Sequence, residues 1–155
     1  MLNDRSLIVK SIYNCNREIK IHFKKNTIFD IKDLILLYES VGWKKKSTIK
    51  LQQLIKNNLL ITCFVKISIL KINLIGFVIA SLDYSQYAIV WDLMIHPKFQ
   101  NLGLGKDLMF LLMHEIREMN INNIILFAEP QVINFYVKLG FKIEPDHNKV
   151  LFLCK

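Results

Sequence analysis

Arginine, alanine, glycine, proline and cysteine are all scarce in this chain. Its 155 residues include 3 Arg, 3 Ala, 5 Gly, 3 Pro and 3 Cys. Cys15, Cys63 and Cys154 are odd in number and share no metal-like spacing. That argues against a disulfide framework or a thiolate metal site and for reduced thiols in a reducing compartment. No Gly- or Pro-rich stretch marks a linker, and no repeat or low-complexity segment appears. One domain spanning residues 1–155 is therefore expected. Long apolar runs are missing too. The longest are broken by Lys71, Asn73, Asp92 or Lys106, so none reaches the ~20 residues of a membrane span. Residues Met1 to Lys10 lack the apolar centre of a signal peptide and carry Asp4. The expectation is that a protein with this N-terminus, if it works in an organelle, is made there.

Acidic residues are outnumbered, 13 against 21 basic ones, for a net charge of +8. Such a balance invites a nucleic-acid or anionic-surface partner. The basic residues, however, are 18 Lys against 3 Arg, accompanied by 23 Ile and 13 Asn. Lys, Asn and Ile have AT-rich codons, whereas Arg, Ala, Gly and Pro have GC-rich ones. Much of the charge then follows from genome composition, and a dedicated phosphate binder would favour the planar fork of Arg. No base-stacking motif accompanies the charge, which leaves nucleic acid as the weaker reading. His22, His96, His114 and His147 show no metal spacing, and no metal is expected.

The apolar pattern predicts the order β-α-α-β-β-β-α-β-α-β. Ile19 to Phe23 alternates as a strand. Thr27 is expected to cap a first helix that Gly42 ends, and Thr48 a second with Leu51, Leu54 and Ile55 on its buried face. Three apolar runs, Leu59 to Ile67, Asn73 to Leu82 and Tyr87 to His96, suggest an antiparallel meander. Leu104, Leu108, Leu111, Leu112, Ile116 and Met119 then recur on one helical face. Ile124 to Ala128, a helix from Pro130 to Gly140 and a strand from Lys149 to Cys154 complete the chain. Trp91 is expected in the core, Trp43, Tyr84 and Tyr87 as packing or as an acceptor pocket, and Lys44 to Lys46 as a solvated loop or a docking surface for acidic protein.

The stretch Gln100-Asn101-Leu102-Gly103-Leu104-Gly105-Lys106 carries the chemical signal. It follows a strand and opens the long helix. Glycines let a backbone approach a ligand closely, and the first helical amides point outward unpaired, which suits an anion. A Walker A loop would need Gly at 100 and Ser or Thr at 107, where Gln100 and Asp107 stand. A dinucleotide fingerprint would need a small residue at Leu108. The remaining pattern, Q-x-x-G-x-G, resembles the pyrophosphate motif of the GNAT-superfamily N-acetyltransferases.

Its surroundings resemble that family as well. W-D-L-M-I-H-P precedes it, and N-F-Y-V-K-L-G-F, from Asn134 to Phe141, follows at the place of the family's Tyr-bearing helix. L-Y-E-S-V-G-W (Leu37 to Trp43), Trp91 to Lys106 and F-A-E-P-Q-V-I-N-F-Y (Phe127 to Tyr136) resemble the plastid and cyanobacterial serotonin N-acetyltransferase-like group. The sequence departs from that group at Lys44-Lys45-Lys46, at Pro130 and at Glu129, where Asp is frequent.

The resemblance implies an α/β (α+β) GNAT fold. Its mixed, mostly antiparallel sheet would be flanked by helices and splayed between the fourth and fifth strands. It implies acetyl-CoA as co-substrate and a primary amine as acceptor, either an arylalkylamine such as serotonin or a protein lysine or N-terminus. The amine would attack the thioester directly in a ternary complex. The cofactor would be held by Leu93, Met94, Ile95, Gln100, Asn101, Leu102, Gly103, Leu104, Gly105, Lys106, Asn134 and Tyr136. An amide of Leu93 or Met94 would face the thioester oxygen. Tyr136 would be the general acid, and Glu129 the leading base, with Asp92 and His96 as rivals. Glu129 could equally be a helix N-cap and Asp92 a structural acceptor. A monomer or homodimer in a plastid stroma, encoded by the plastid, is expected, or else the cytoplasm of an AT-rich bacterium. An acetyl-CoA sensor without activity is the alternative within the same fold.

Overall fold

The computed structural model describes residues 7–14, 17–44, 46–66, 72–83, 86–144 and 147–153. Cys15, Lys45, Tyr84, Cys154 and the N-terminal residues 1–6 lie outside the described residues. Eight strands form one sheet in the order β1-β2-β3-β4-β5-β6-β8-β7. They are β1 (Ile8–Asn14), β2 (Arg17–Lys25), β3 (Leu59–Lys66), β4 (Ile72–Asp83), β5 (Tyr87–Ile95), β6 (Asn123–Phe127), β7 (Lys142–Glu144) and β8 (His147–Leu153). Every neighbouring pair is antiparallel except β5 and β6. A parallel pair needs a crossover, and α3 (Leu104–Glu118) supplies it.

Helices cover both faces. On one, Leu104, Leu108, Met109, Leu112, Met113 and Ile116 of α3 pack on Ile21, Phe23, Ile61, Cys63 and Val78. On the other, α1 (Ile31–Ser40) and α2 (Thr48–Lys56) set Leu34, Leu37, Tyr38 and Leu51 against Leu60, Phe64, Phe77 and Ile79. This is why β3 and β4 read as continuous apolar runs rather than as alternation: both of their faces are buried. A Cβ on Gly76 would stand 2.8 Å from Ile95 Cδ1 and 3.0 Å from Cys63 Cβ, so packing alone demands glycine there.

Several expectations are corrected. Strands β1 and β7 were absent from the predicted order. Ile8, Val9 and Tyr13 on β1 are all exposed, so that edge strand lacks the alternation that would announce it. β7 has only 3 residues, too few to show a period. Asp30, not Thr27, caps α1: its carboxylate accepts the Lys32 N–H at 2.9 Å. Phe29, just before that cap, packs in the same cluster as Leu34 and fixes the entry of the chain, as a hydrophobic staple does. Ser47, not Thr48, caps α2. Met119 lies beyond α3 and is exposed. The helix expected from Pro130 is a 3-10 turn (Pro130–Val132) followed by the short α4 (Ile133–Val137). Trp91 is not in the core but 38% exposed.

Two irregularities prepare the site. Between β4 and β5 the register jumps from Phe77↔Met94 to Ile79↔Trp91, so Asp92 and Leu93 together face Val78. That is a bulge, and Asp92 takes the left-handed conformation, φ 49, within it. On its other side β5 pairs with β6 only from Tyr87↔Asn123 to Val90↔Leu126. Beyond Val90 the two strands part. The missing β1 had shifted the count by one, so these are the fourth and fifth strands of the expected order.

Candidate active site

The parting of β5 and β6 opens a cleft of about 300 Å³. Larger depressions lie elsewhere, but this one gathers the residues with chemistry. Asp92 and Leu93 line it from β5, Glu129 from the segment after β6, Phe135 and Tyr136 from α4, and Trp43 from the loop after α1. Where the ladder stops, Trp91 and Phe127 stack at 5.7 Å and 22° across the gap. The Trp91 indole N–H also donates to Ser81 Oγ at 3.1 Å.

The loop before α3 lines none of the cleft but lies beside it, behind Phe135, and main chain dominates it. His96 Nδ1 accepts the Lys98 N–H at 3.2 Å and caps the 3-10 turn Pro97–Phe99. Gln100 Nε2 donates to Ile95 O at 3.0 Å, tying the loop back to the end of β5. Asn101 and Gly103 follow with φ 62 and 78, and α3 starts at Leu104. The first amides of a helix have no partner within it and carry its positive end. Lys10, from β1, donates to Leu102 O at 3.2 Å and pairs with Asp107 at 2.6 Å, clamping the loop from behind.

The two glycines of the loop differ in what they need. Gly103 needs its left-handed φ. Gly105 does not: a Cβ there would meet the Phe135 ring at 3.7 Å, ordinary contact. Glycine in a helix costs up to about 1 kcal/mol relative to alanine. Nothing in the protein's own packing requires that cost, and a ligand approaching the backbone would.

Side chains dominate the α1 side of the cleft. Tyr38 is 1% exposed, and its hydroxyl donates to Asp92 Oδ2 at 2.6 Å. The Lys46 ammonium pairs with the same oxygen and stands 5.1 Å over the Tyr38 ring. Burial, then the hydrogen bond and charge of Asp92, push the Tyr38 hydroxyl well above the ordinary tyrosine range. Trp43 closes this corner, its ring 6.1 Å from that of Tyr38.

Tyr136 is held edge-to-face between Phe135 at 5.0 Å and Phe141 at 6.0 Å. Its carbonyl accepts from Leu139 at 2.9 Å and Phe141 at 3.1 Å, which anchors α4 at the turn through Gly140. Burial pushes the phenol up to about 12, so it keeps its proton through the neutral range.

Glu129 occupies the N-cap position before Pro130, yet its carboxylate makes no capping hydrogen bond. Glu129 is among the residues that line the cleft. Among the expected residues, Leu93, Asp92, Glu129 and Tyr136 thus meet in one cleft. Met94 and Ile95 bury their side chains on opposite faces of the sheet. His96 and Asn134 do not line the cleft, and His96 spends Nδ1 on a cap. Lys46 is no solvated loop residue, because it is paired with Asp92. Lys10, Tyr38, Lys46 and Phe127 were not singled out for the site. The Tyr of L-Y-E-S-V-G-W and the Trp-Asp pair gave the nearest signal.

Comparison with known proteins agrees with this geometry. A model described as "Acetyltransferase (GNAT) family" matches residues 28–141. The chain is 38% identical over 149 residues to "Uncharacterized N-acetyltransferase ycf52" of Gracilaria tenuistipitata var. liui, covering 96% of this chain and 82% of that one. It is 30% identical to "Serotonin N-acetyltransferase 2, chloroplastic" of Oryza sativa subsp. japonica, over 79% of this chain and 62% of that one. In three dimensions it resembles a PaiA N-acetyltransferase from Thermoplasma acidophilum solved with coenzyme A. The TM-score is 0.71 at 21% identity, covering 87% of this chain and 99% of that one.

Proposed function

The chain belongs to the GNAT acetyltransferase family, and from that premise we propose that it moves the acetyl group of acetyl-CoA onto a primary amine in a ternary complex. The observation that carries the reading is the convergence of Glu129, Tyr136 and the unpaired edge of β5 on one cleft, beside the glycine loop of α3. Acetyl-CoA supplies a thioester carbonyl that an unprotonated amine attacks.

The protein's own groups divide the remaining work. Amides from Asn101 to Lys106, with Gln100 bracing them and Asn134 nearby on α4, bind the phosphates. The main chain of Leu93 to Ile95 receives the pantetheine arm as an added strand, and an amide of Leu93 or Met94 faces the carbonyl oxygen. One such donor is worth roughly 10²–10³ in rate. Tyr136 holds the proton that the departing thiolate needs, and its elevated pKa keeps that proton in place. Glu129 takes the proton of the incoming ammonium.

The acceptor is an arylalkylamine or a protein amine, and the aromatic walls Trp43, Trp91 and Phe127 suit the first. The composition and the chloroplastic name of the rice relative support a plastid stroma as the place of work. The test is thiol release from acetyl-CoA with serotonin, tryptamine, polyamines and lysine or N-terminal peptides. Turnover with one class assigns the acceptor. Tight acetyl-CoA binding without turnover on any amine would overturn the reading in favour of a sensor.

A further inference from the structure

We propose that Asp92 is the recognition point for the acceptor's ammonium group and that the protein's own Lys46 fills it until an acceptor arrives. The proposal rests on the acetyltransferase reading and goes beyond it by naming the anion that selects a cationic acceptor and the internal cation that competes for it. Three observations carry it. First, Asp92 sits at the bulge where β5 leaves β6, with left-handed φ 49, and it lines the cleft beside Tyr136 and Glu129. A bulge re-aims a side chain. Here it aims a carboxylate at the reacting end of the cleft, one residue before Leu93.

Second, that carboxylate already holds an alkylammonium. Lys46 Nζ pairs with Oδ2, lies 3.2 Å from the Tyr38 hydroxyl, and stands over the Tyr38 ring. Carboxylate, hydroxyl and aromatic face are the groups that a protonated primary amine would seek. The Lys46 side chain is 38% exposed, so it can leave toward solvent without breaking the core.

Third, the carboxylate has capacity to spare. Tyr38 and Lys46 both use Oδ2. Oδ1 accepts no hydrogen bond among the described residues, and none of their buried side-chain oxygens lacks a partner. The Asp92 side chain is 18% exposed, so an incoming donor can reach the carboxylate. Tyr38 stays fixed through the exchange, because α1 buries it against the sheet. An acceptor ammonium would bind at Oδ1, displace Lys46, and be held facing Glu129. Neutral amines and amides would lack the charge needed to displace it.

The experiment is direct binding, so it does not depend on turnover. Tryptamine and its uncharged analogue 3-ethylindole are titrated into the CoA-loaded protein by calorimetry, for wild type, Lys46→Met, Asp92→Asn and the double variant. Removing a half-buried competing ion pair should tighten tryptamine by about two- to fivefold. 3-Ethylindole should be unaffected. Asp92→Asn should weaken tryptamine, and Lys46→Met should no longer improve it in that background. If Lys46→Met weakens tryptamine, or changes both ligands alike, Lys46 only braces the loop and the proposal falls. Absence of tryptamine binding to every protein also overturns it. Failure of the acetyltransferase reading appears separately, as absence of thiol release.

Discussion

The loop before α3 and the α1 side of the cleft are built by different means. Near α3, the work falls to main-chain groups of one continuous segment, Ile95 to Lys106, shaped by two left-handed residues and a bare Gly105. Near α1, it falls to side chains brought together from far apart, Tyr38 and Lys46 meeting Asp92 across 54 and 46 residues of sequence. The first is a local conformation that a few residues specify. The second exists only once α1 is packed on the sheet and the bulge has turned Asp92 toward it. A site for an invariant part, the phosphates of a cofactor, can be written locally. A site for the variable part, the acceptor, depends on tertiary packing and can change without disturbing the first.

Substitution at the junction of the two should have the largest effect. Tyr136→Phe should lower kcat by about a hundredfold, the ordinary weight of a general acid, while acetyl-CoA binding holds. An unchanged kcat at saturation would remove Tyr136 from the chemistry. Its proton is retained below a pKa of about 12. Loss of activity through ionisation of Tyr136 should therefore be absent at pH 10, where an ordinary tyrosine is half ionised. The same raised pKa contributes stability that is full below pH 10 and lost as pH rises toward about 12. Tyr136→Phe should flatten that part of the denaturation profile.

The acceptor end is sharpened by comparing carboxylates. Glu129→Gln should lower kcat, whereas Asp92→Asn should act mainly on the acceptor's KM. A kcat lost in Asp92→Asn with only KM changed in Glu129→Gln would exchange their roles.

The cofactor end is sharpened by Gly105→Ala. It should leave thermal stability unchanged or raise it by up to about 1 kcal/mol, because the helix gains. Acetyl-CoA affinity should nevertheless fall by about tenfold, the weight of one charge-assisted hydrogen bond. A variant that binds normally would show that the phosphates do not touch this backbone. The smallest effect is expected for Lys10→Met. It removes a half-exposed clamp from Leu102 and Asp107, and should raise the KM for acetyl-CoA by about two- to fivefold with kcat unchanged.

The same contrast explains what could be read from the residues alone. The loop, α3 and the three-strand meander were legible because periodicity and glycine placement are local signals, whereas Tyr136 came forward only through the family resemblance of N-F-Y-V-K-L-G-F. The edge strands β1 and β7 were not, one because its exposed Ile8, Val9 and Tyr13 blur the alternation, the other because it is too short. Trp91 reads as core in an apolar run, yet the strand it sits on loses its neighbour at Val90 and leaves it half open. Lys46 reads as one of three like charges in a loop, and only the folded arrangement shows its partner. The charge of +8 says little about partners, because the proposed anion site rests on amides more than on lysines.

That the α3 loop and the cleft serve one ligand, with the cofactor's arm lying along β5 between them, is the central claim. Amide NMR of the labelled protein during a coenzyme A titration tests it most directly. The account predicts that the amides of Leu93 and Met94 shift together with those of Leu104 to Lys106, with one shared dissociation constant. Shifts confined to the α3 loop, with Trp91 to Ile95 unmoved, would contradict it.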